Sequence, residues 1–165
     1  LKNIEINGLS NSINSNLIGV GAKSFFYAPK GSISSEMPTS LKLDSNHNNL
    51  DTKKVEIKTL DDIYDDFNLS GQASIKIDVE GFEGDIFKNG SNVIKNYRPF
   101  ILCEVLTSTN NYSEYCDFLS KNHYIKYLVT ENSIRSFDKI VPHKKYKDWF
   151  FIPKEKSKEV SSMMT

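Results

Sequence analysis

The chain has 165 residues, and its 21 basic side chains equal its 21 acidic side chains in number. This length favours one domain with a sizeable core. The charge balance and the lack of a dense basic stripe argue against a nucleic-acid partner, and no apolar run is long enough to span a bilayer. Cys103 and Cys116 lie in apolar patterns typical of buried thiols in a reducing compartment, so the cytoplasm is the expected location.

The first part of the chain carries few strong structural signals. Apolar residues lead to Gly8, a natural helix stop, so the chain begins inside what reads as the end of a helix. We therefore expect a fragment. Strands are predicted at residues 13–20 and 23–28, and the two glycines around Val20 read as turn residues. Residues 29–53 are rich in Ser, Asn, Lys and Pro, and a loop this long is either a functional lid or disordered.

The middle of the chain alternates strands with helices. After a strand at residues 55–58, a capping box at Thr59 starts a helix. A β-branched run at residues 75–79 predicts the buried central strand of a sheet, and the helix that follows it stops at Gly90. Ser91 is expected to cap the next helix.

The last part of the chain predicts more strands. The apolar run at residues 100–106 is typical of a parallel strand covered on both faces. A helix follows, then a strand at residues 124–129, a return or loop at residues 133–137, and a final strand at residues 149–152. From Lys154 the chain has little to bury and is expected to fray. This order predicts an α/β fold whose sheet has an antiparallel carboxyl-terminal edge.

Three carboxylates stand where the predicted parallel strands end. Asp78 and Glu80 come at the end of the central strand, and Glu104 comes near the end of the next apolar run. Open α/β sheets bind ligands at the carboxyl ends of their strands, so these side chains are expected to face one crevice. Residues two apart on a strand share a face, which joins Asp78 to Glu80. Alternatively, Glu80 only favours a helix start and Glu104 pairs with a neighbouring lysine.

The residues around these carboxylates resemble the signature of a known family. Ile-Lys-Ile-Asp-Val-Glu-Gly-Phe-Glu at residues 75–83 and Arg-Pro-Phe-Ile-Leu-Cys-Glu at residues 98–104 are similar to the pattern of FkbM family S-adenosylmethionine-dependent methyltransferases. The likeness extends to the helix start at Thr59. It implies a Rossmann-like class I methyltransferase sheet, with residues 1–153 as a partial domain and residues 154–165 as a flexible tail.

The resemblance also implies which parts of the family's site this chain carries. The family's first strand, its glycine-rich cofactor loop and the acidic residue that holds the cofactor ribose belong upstream of Leu1. The chain is therefore expected to lack the amino-terminal strands and to be inactive by itself. By resemblance, Asp78 lies near the methionine end of S-adenosylmethionine. Glu80 and Glu104 act toward the acceptor, a hydroxyl of a sugar, glycan or secondary metabolite.

Other functions stay open from the residues alone. The three carboxylates are hard oxygen ligands that could hold Mg²⁺ in a hydrolase or phosphoryl-transfer enzyme. The chain could also be a truncated, non-catalytic module. A general base for methyl transfer could come from Glu80 or from a histidine. The three histidines lie in loop-like contexts that are more typical of solvated side chains: His47, His123 and His143.

Overall fold

The computed structural model describes residues 2–29, 52–69, 73–79, 81–108 and 112–160. The chain divides into two compact units, residues 1–19 with 23–58 and residues 20–22 with 59–165. The helices and strands are α1 (Lys2–Ile6), β1 (Gly19–Val20), β2 (Ser24–Pro29), β3 (Thr52–Lys58), α2 (Leu60–Asp66), β4 (Ser74–Ile77), α3 (Glu83–Lys88), β5 (Phe100–Glu104), α4 (Tyr112–Lys121), β6 (Tyr124–Val129), β7 (Ile134–Phe137), β8 (Asp148–Pro153) and α5 (Ser157–Val160). Most of the predicted loop at residues 29–53 lies outside the described residues.

The first unit confirms the helix stop and one of the two predicted strands. The backbone of Gly8, just after α1, has φ of 66°, which glycine adopts at little cost. β2 and β3 pair antiparallel in a three-stranded sheet with the order β1-β3-β2. The strand predicted at residues 13–20 is wrong except for β1, because residues 13–18 form no strand. The side chain of Asn14 accepts a hydrogen bond from the side chain of Asn16 in this stretch.

The second unit contains a five-stranded sheet with the order β4-β5-β8-β6-β7. β4 and β5 are parallel, whereas β8 runs antiparallel to both β5 and β6. The predicted return at residues 133–137 is the strand β7, which forms the antiparallel edge. The final strand, β8, pairs with both β5 and β6 and lies inside the sheet. It carries Trp149 and Phe151, both 0% exposed.

The strands that carry the predicted site differ in how they are buried. On β5, Ile101 and Cys103 are buried, while the alternate residues are only half-buried, so the expected cover on both faces is partial. β5 ends at Glu104 rather than at residue 106. β4 is not a buried central strand as predicted: among the described residues it is the edge strand, and only Ile77 in it is buried.

The capping box at Thr59 is confirmed, and a second cap was not predicted. The Thr59 hydroxyl accepts a hydrogen bond from the N–H of Asp62, and the Asp62 carboxylate accepts one from the N–H of Thr59. The prediction that Ser91 caps the next helix is wrong. The carboxylate of Asp61, on α2, accepts hydrogen bonds from the N–H groups of Asn92 and Val93 at 3.2 and 2.9 Å. A residue 31 positions earlier thus supplies the cap.

Replacing Asp61 should lower the free energy of unfolding more than replacing Ser91. In Asp61→Ala two backbone donors lose their acceptor, so we expect the free energy of unfolding to fall by about 1–2 kcal/mol. Ser91→Ala is the matched control and should change it by less than about 0.5 kcal/mol. Denaturant unfolding of both variants measures the difference. A larger loss in Ser91→Ala than in Asp61→Ala would contradict the assignment of the cap.

Arg98 connects the residues after β8 to the rest of the second unit. This residue has φ of 52° and follows the π-helical segment Val93–Tyr97. Its guanidinium donates to both carboxylate oxygens of Glu155, at 2.7 and 2.8 Å, and to the carbonyl oxygen of Asn122 at 2.6 Å. Residues 154–160 are helical, and Val160 is only 6% exposed. The expectation that the chain has little to bury from Lys154 onward is therefore wrong for this stretch.

The Arg98–Glu155 pair predicts a loss of stability in acid. The hydrogen bond from Arg98 lowers the pKa of Glu155 from 4.5 to about 2. Because the folded-state pKa is lowered, the stabilisation is complete above the unfolded pKa and is lost as the pH falls from 4.5 toward 2. The Glu155 side chain is 53% exposed, so solvent screening keeps the contribution below about 1 kcal/mol.

The wild type and Glu155→Gln should therefore differ most in unfolding free energy at neutral pH. The difference should shrink as the pH approaches 2, because the wild-type carboxylate is then protonated as well. Denaturant unfolding of both proteins across this pH range measures it. A difference that grows as the pH falls would contradict the ion pair as its source.

Candidate functional site

Two of the predicted site residues meet at one end of the sheet. In the parallel pair, Ile77 of β4 lies opposite Cys103 of β5, so the next residues along the strands, Asp78 and Glu104, are adjacent. Asp148, the first residue of β8, lies opposite Glu104 on its other side. The prediction that Asp78 and Glu104 occupy the same strand ends is confirmed. Three carboxyl groups from three neighbouring strands therefore share this end of the sheet.

The pKa values of Asp78 and Glu104 shift in opposite directions. A hydrogen bond from Lys76 lowers the pKa of Asp78, and a hydrogen bond with Glu104 lowers it further. Burial raises the pKa of Glu104, and the charge of Asp78 raises it further. Of the two groups, Glu104 therefore holds its proton to the higher pH. Such a pair can hold or release one proton at a fixed place.

Two lysines offset the negative charge of this site. Lys76 Nζ lies 3.0 Å from Asp78 Oδ2, and Lys147 Nζ lies 3.7 Å from Glu104 Oε1. The alternative in which Glu104 pairs with a neighbouring lysine is thus also present in the structure, beside its contact with Asp78. Asp78 and Lys76 are each about half exposed, with 53% and 52% of their side-chain surface accessible. The carboxylates are therefore open to a ligand.

The loop between β4 and α3 contains one constrained glycine. Gly81 has φ of 110°, a conformation that other residues rarely adopt, and a Cβ atom added there would meet nothing within 4 Å. Its N–H donates to the Glu83 Oε1 atom at 3.0 Å. β4 already ends at Ile77, so the alternation that would join Asp78 to Glu80 stops before either residue. Glu80 itself lies outside the described residues.

The remaining candidates do not join this site. His143 Nδ1 accepts hydrogen bonds from the N–H groups of Lys145 and Tyr146, and His123 is an exposed residue with φ of 56° at the end of α4. His47 lies outside the described residues. A cleft of about 360 Å³ borders Lys126 and belongs to the opposite end of the sheet, so it is not part of the acidic site.

No group of three or more His, Cys, Asp and Glu that could hold a metal ion occurs in the described part of the chain. Glu80, the third residue of the proposed magnesium set, is outside that part. Likewise, no helix that the structure describes has the length and apolar character needed to cross a bilayer. Cys103 and Cys116 are both free and buried, which confirms their interpretation as buried thiols. Gly21 lies between β1 and β2, as expected of a turn residue, whereas Gly19 is the first residue of β1.

Sequence reasoning missed three charged residues of this site. Lys76 alternates with the apolar residues of β4, and this alternation is the only feature of the sequence that indicates an exposed side chain there. Lys147 and Asp148 reach the site because β8 inserts beside β5, and nothing in their local sequence indicates that pairing. Glu83 is the first residue of α3 and is 0% exposed. Burial of this kind depends on tertiary packing.

Acidic groups at the carboxyl ends of adjacent parallel strands define a ligand site of the kind found in open α/β enzymes. The chain belongs to the FkbM methyltransferase family: residues 2–126 match the family model described as the methyltransferase FkbM domain. The match includes Asp78 and Glu104. The family implies a Rossmann-like methyltransferase fold, and its members typically use S-adenosylmethionine. No curated protein and no solved structure matches this chain significantly.

The effect of Lys76 on the pKa of Asp78 can be tested by titration. In Lys76→Met, Asp78 loses the hydrogen bond that most lowers its pKa, so we expect that pKa to rise toward its ordinary value. Lys121→Met removes an exposed lysine at the end of α4, distant in sequence from the site, and should leave the Asp78 pKa unchanged. Carboxyl chemical shifts followed by NMR measure both variants. An equal rise in the two would show that general charge, rather than the contact, controls Asp78.

Proposed function

We propose that the protein containing this chain transfers a methyl group from S-adenosylmethionine to a hydroxyl group of a sugar, glycan or secondary metabolite, in the cytoplasm. Membership of the FkbM family supports the reaction class. The cofactor, when bound, supplies the methyl group as part of a sulfonium. Because transfer is an in-line displacement, the protein's task is to align donor and acceptor and to manage charge and one proton.

Asp78 would hold the methionine end of the cofactor. The observation that supports this role most directly is its contact with Lys76, whose ammonium lies 3.0 Å from Asp78 Oδ2. The methionine end of the cofactor carries an ammonium group as well, so the same oxygen can accept the same kind of hydrogen bond from the ligand. The lowered pKa of Asp78 keeps the carboxylate charged for this purpose.

Glu104 would act on the acceptor hydroxyl. Its pKa is raised by burial and by Asp78, and a carboxylate with a raised pKa is a better proton acceptor near neutral pH. Its position at the end of β5, next to Asp78, suits a group that removes the hydroxyl proton while the cofactor is held alongside. Glu80 is proposed for the same side of the reaction on the resemblance alone.

We further propose that the glycine-rich cofactor loop comes from polypeptide outside the printed sequence, and that this chain by itself is inactive. The position of β4 supports this. Among the described residues β4 is hydrogen-bonded only to β5, although it carries Asp78 at its end. A strand that pairs with its other edge would bring a cofactor loop beside Asp78, as open α/β sheets do.

Substitutions at the two carboxylates should affect different steps in the full-length protein. Asp78→Ala loses a charge-assisted hydrogen bond, so we expect S-adenosylhomocysteine to bind about ten- to a hundredfold more weakly. Glu104→Gln should leave that affinity nearly unchanged and lower the turnover of acceptor. Calorimetry with S-adenosylhomocysteine measures the first effect, and methyl transfer to candidate hydroxyl acceptors measures the second.

Asp85→Asn is the control for this experiment. Asp85 is an exposed acid on α3, so this substitution removes one negative charge without changing Asp78 or Glu104. Unchanged affinity in Asp78→Ala would exclude the role assigned to Asp78. A thermal shift with Mg²⁺ but none with S-adenosylhomocysteine would exclude the methyltransferase and favour a magnesium enzyme.

A further inference from the structure

The loop that leads from Asp78 into α3 is held by a buried carboxyl group. Glu83, the first residue of α3, is 0% exposed. Its Oε1 atom accepts a hydrogen bond from the N–H of Gly81 at 3.0 Å. Gly81 has φ of 110°, so its peptide N–H has a direction that ordinary backbone rarely gives. A side chain thus fixes the most constrained peptide of the loop.

Stability does not account for a carboxyl group at this position. The second oxygen of Glu83, Oε2, is buried and has no hydrogen-bond partner among the residues that the structure describes. A buried acceptor without a partner costs free energy, and an apolar side chain of similar volume is often as stable or more stable. Ile86 and Phe87, three and four positions further along the same helix, are also buried. The contact with Gly81 is what an apolar side chain could not provide.

Asp78 lies between two fixed points. On one side, Ile77 is bound into the sheet by its pairing with Cys103 of β5. On the other side, Gly81 is bound to Glu83. Glu83 also lies close to β5, because its charge, after burial, is the largest cause that raises the pKa of Cys103. A shift of the loop at Gly81 would therefore move Asp78 relative to Glu104, which lies beside it at the strand ends.

We infer that Glu83 is a positioning residue of the methyltransferase site: by holding the Gly81 N–H it sets the place of Asp78 and so the affinity for the cofactor. This inference rests on the proposed function for its effect on the cofactor. Its effect on the loop is independent of that function. Displacing a charged group from its partner by a fraction of its hydrogen-bond length weakens binding steeply, so the effect should be measurable even without direct contact between Glu83 and the ligand.

Three variants of the full-length protein separate the contact from the charge and the volume. Glu83→Gln keeps an acceptor oxygen, whereas Glu83→Met has similar volume and no acceptor for the Gly81 N–H. Asp85→Asn is the matched control, because Asp85 is an exposed acid two positions further along α3. If Glu83→Met does not fold, Glu83→Asp replaces it, since its shorter side chain keeps the carboxyl group and cannot reach Gly81 in the same way.

We expect Glu83→Met to bind S-adenosylhomocysteine about tenfold more weakly, and Glu83→Gln and Asp85→Asn to bind within about twofold of the wild type. The thermal unfolding midpoint of Glu83→Met should be equal to or higher than that of the wild type. Amide hydrogen exchange at Gly81, followed by NMR, should speed up in Glu83→Met and stay slow in Glu83→Gln. Weaker binding in a protein of undiminished stability would distinguish positioning from a structural role.

The two readouts distinguish the possible failures. If the wild type does not bind S-adenosylhomocysteine, the proposed function is wrong, and exchange at Gly81 alone decides whether Glu83 holds the loop. If the wild type binds and Glu83→Met retains full affinity, the positioning inference is overturned while the proposed function stands. Slow exchange at Gly81 in Glu83→Met would overturn it as well. Equal losses of affinity in Glu83→Met and Asp85→Asn would assign the effect to charge and also overturn it.

Discussion

The register of the parallel pair β4 and β5 is the constraint on which the site depends. Because Ile77 lies opposite Cys103, Asp78 and Glu104 are forced together at the strand ends. The negative charge that this pairing concentrates is offset in part by Lys76 and Lys147, and the charge of Asp78 helps to raise the pKa of Glu104. A slip of one residue would turn one of them to the other face and separate them.

Local signals in the sequence predicted much of the fold. The capping box at Thr59 is present as predicted, and the positions of α3, α4 and β6 follow from apolar periodicity and from stop signals such as Gly90. The acidic residues that follow apolar runs also indicated where the strands end. These predictions succeed because each depends on interactions within about four residues along the chain.

Several of the errors concern partners that are distant in sequence. β8 lies between β5 and β6 because Trp149 and Phe151 need burial, and no pattern within β8 states which strands it joins. Asp61 rather than Ser91 caps the segment at Val93, because α2 packs beside it. The burial of Glu83 likewise depends on packing around α3. Pattern and propensity specify what a segment can form, whereas the choice of partner depends on the whole core.

The exposure of the Lys76–Asp78 pair bears on how a cofactor could bind under the proposed function. A ligand ammonium that reaches Asp78 must displace the Lys76 ammonium from Oδ2. Because both side chains are about half exposed, that ion pair is worth at most about 1 kcal/mol, and Lys76 can return to water when displaced. A fully buried pair would resist the exchange, since breaking it leaves a charge without a partner. Lys76 thus keeps the Asp78 carboxylate charged and oriented in the free protein without preventing a stronger partner from binding.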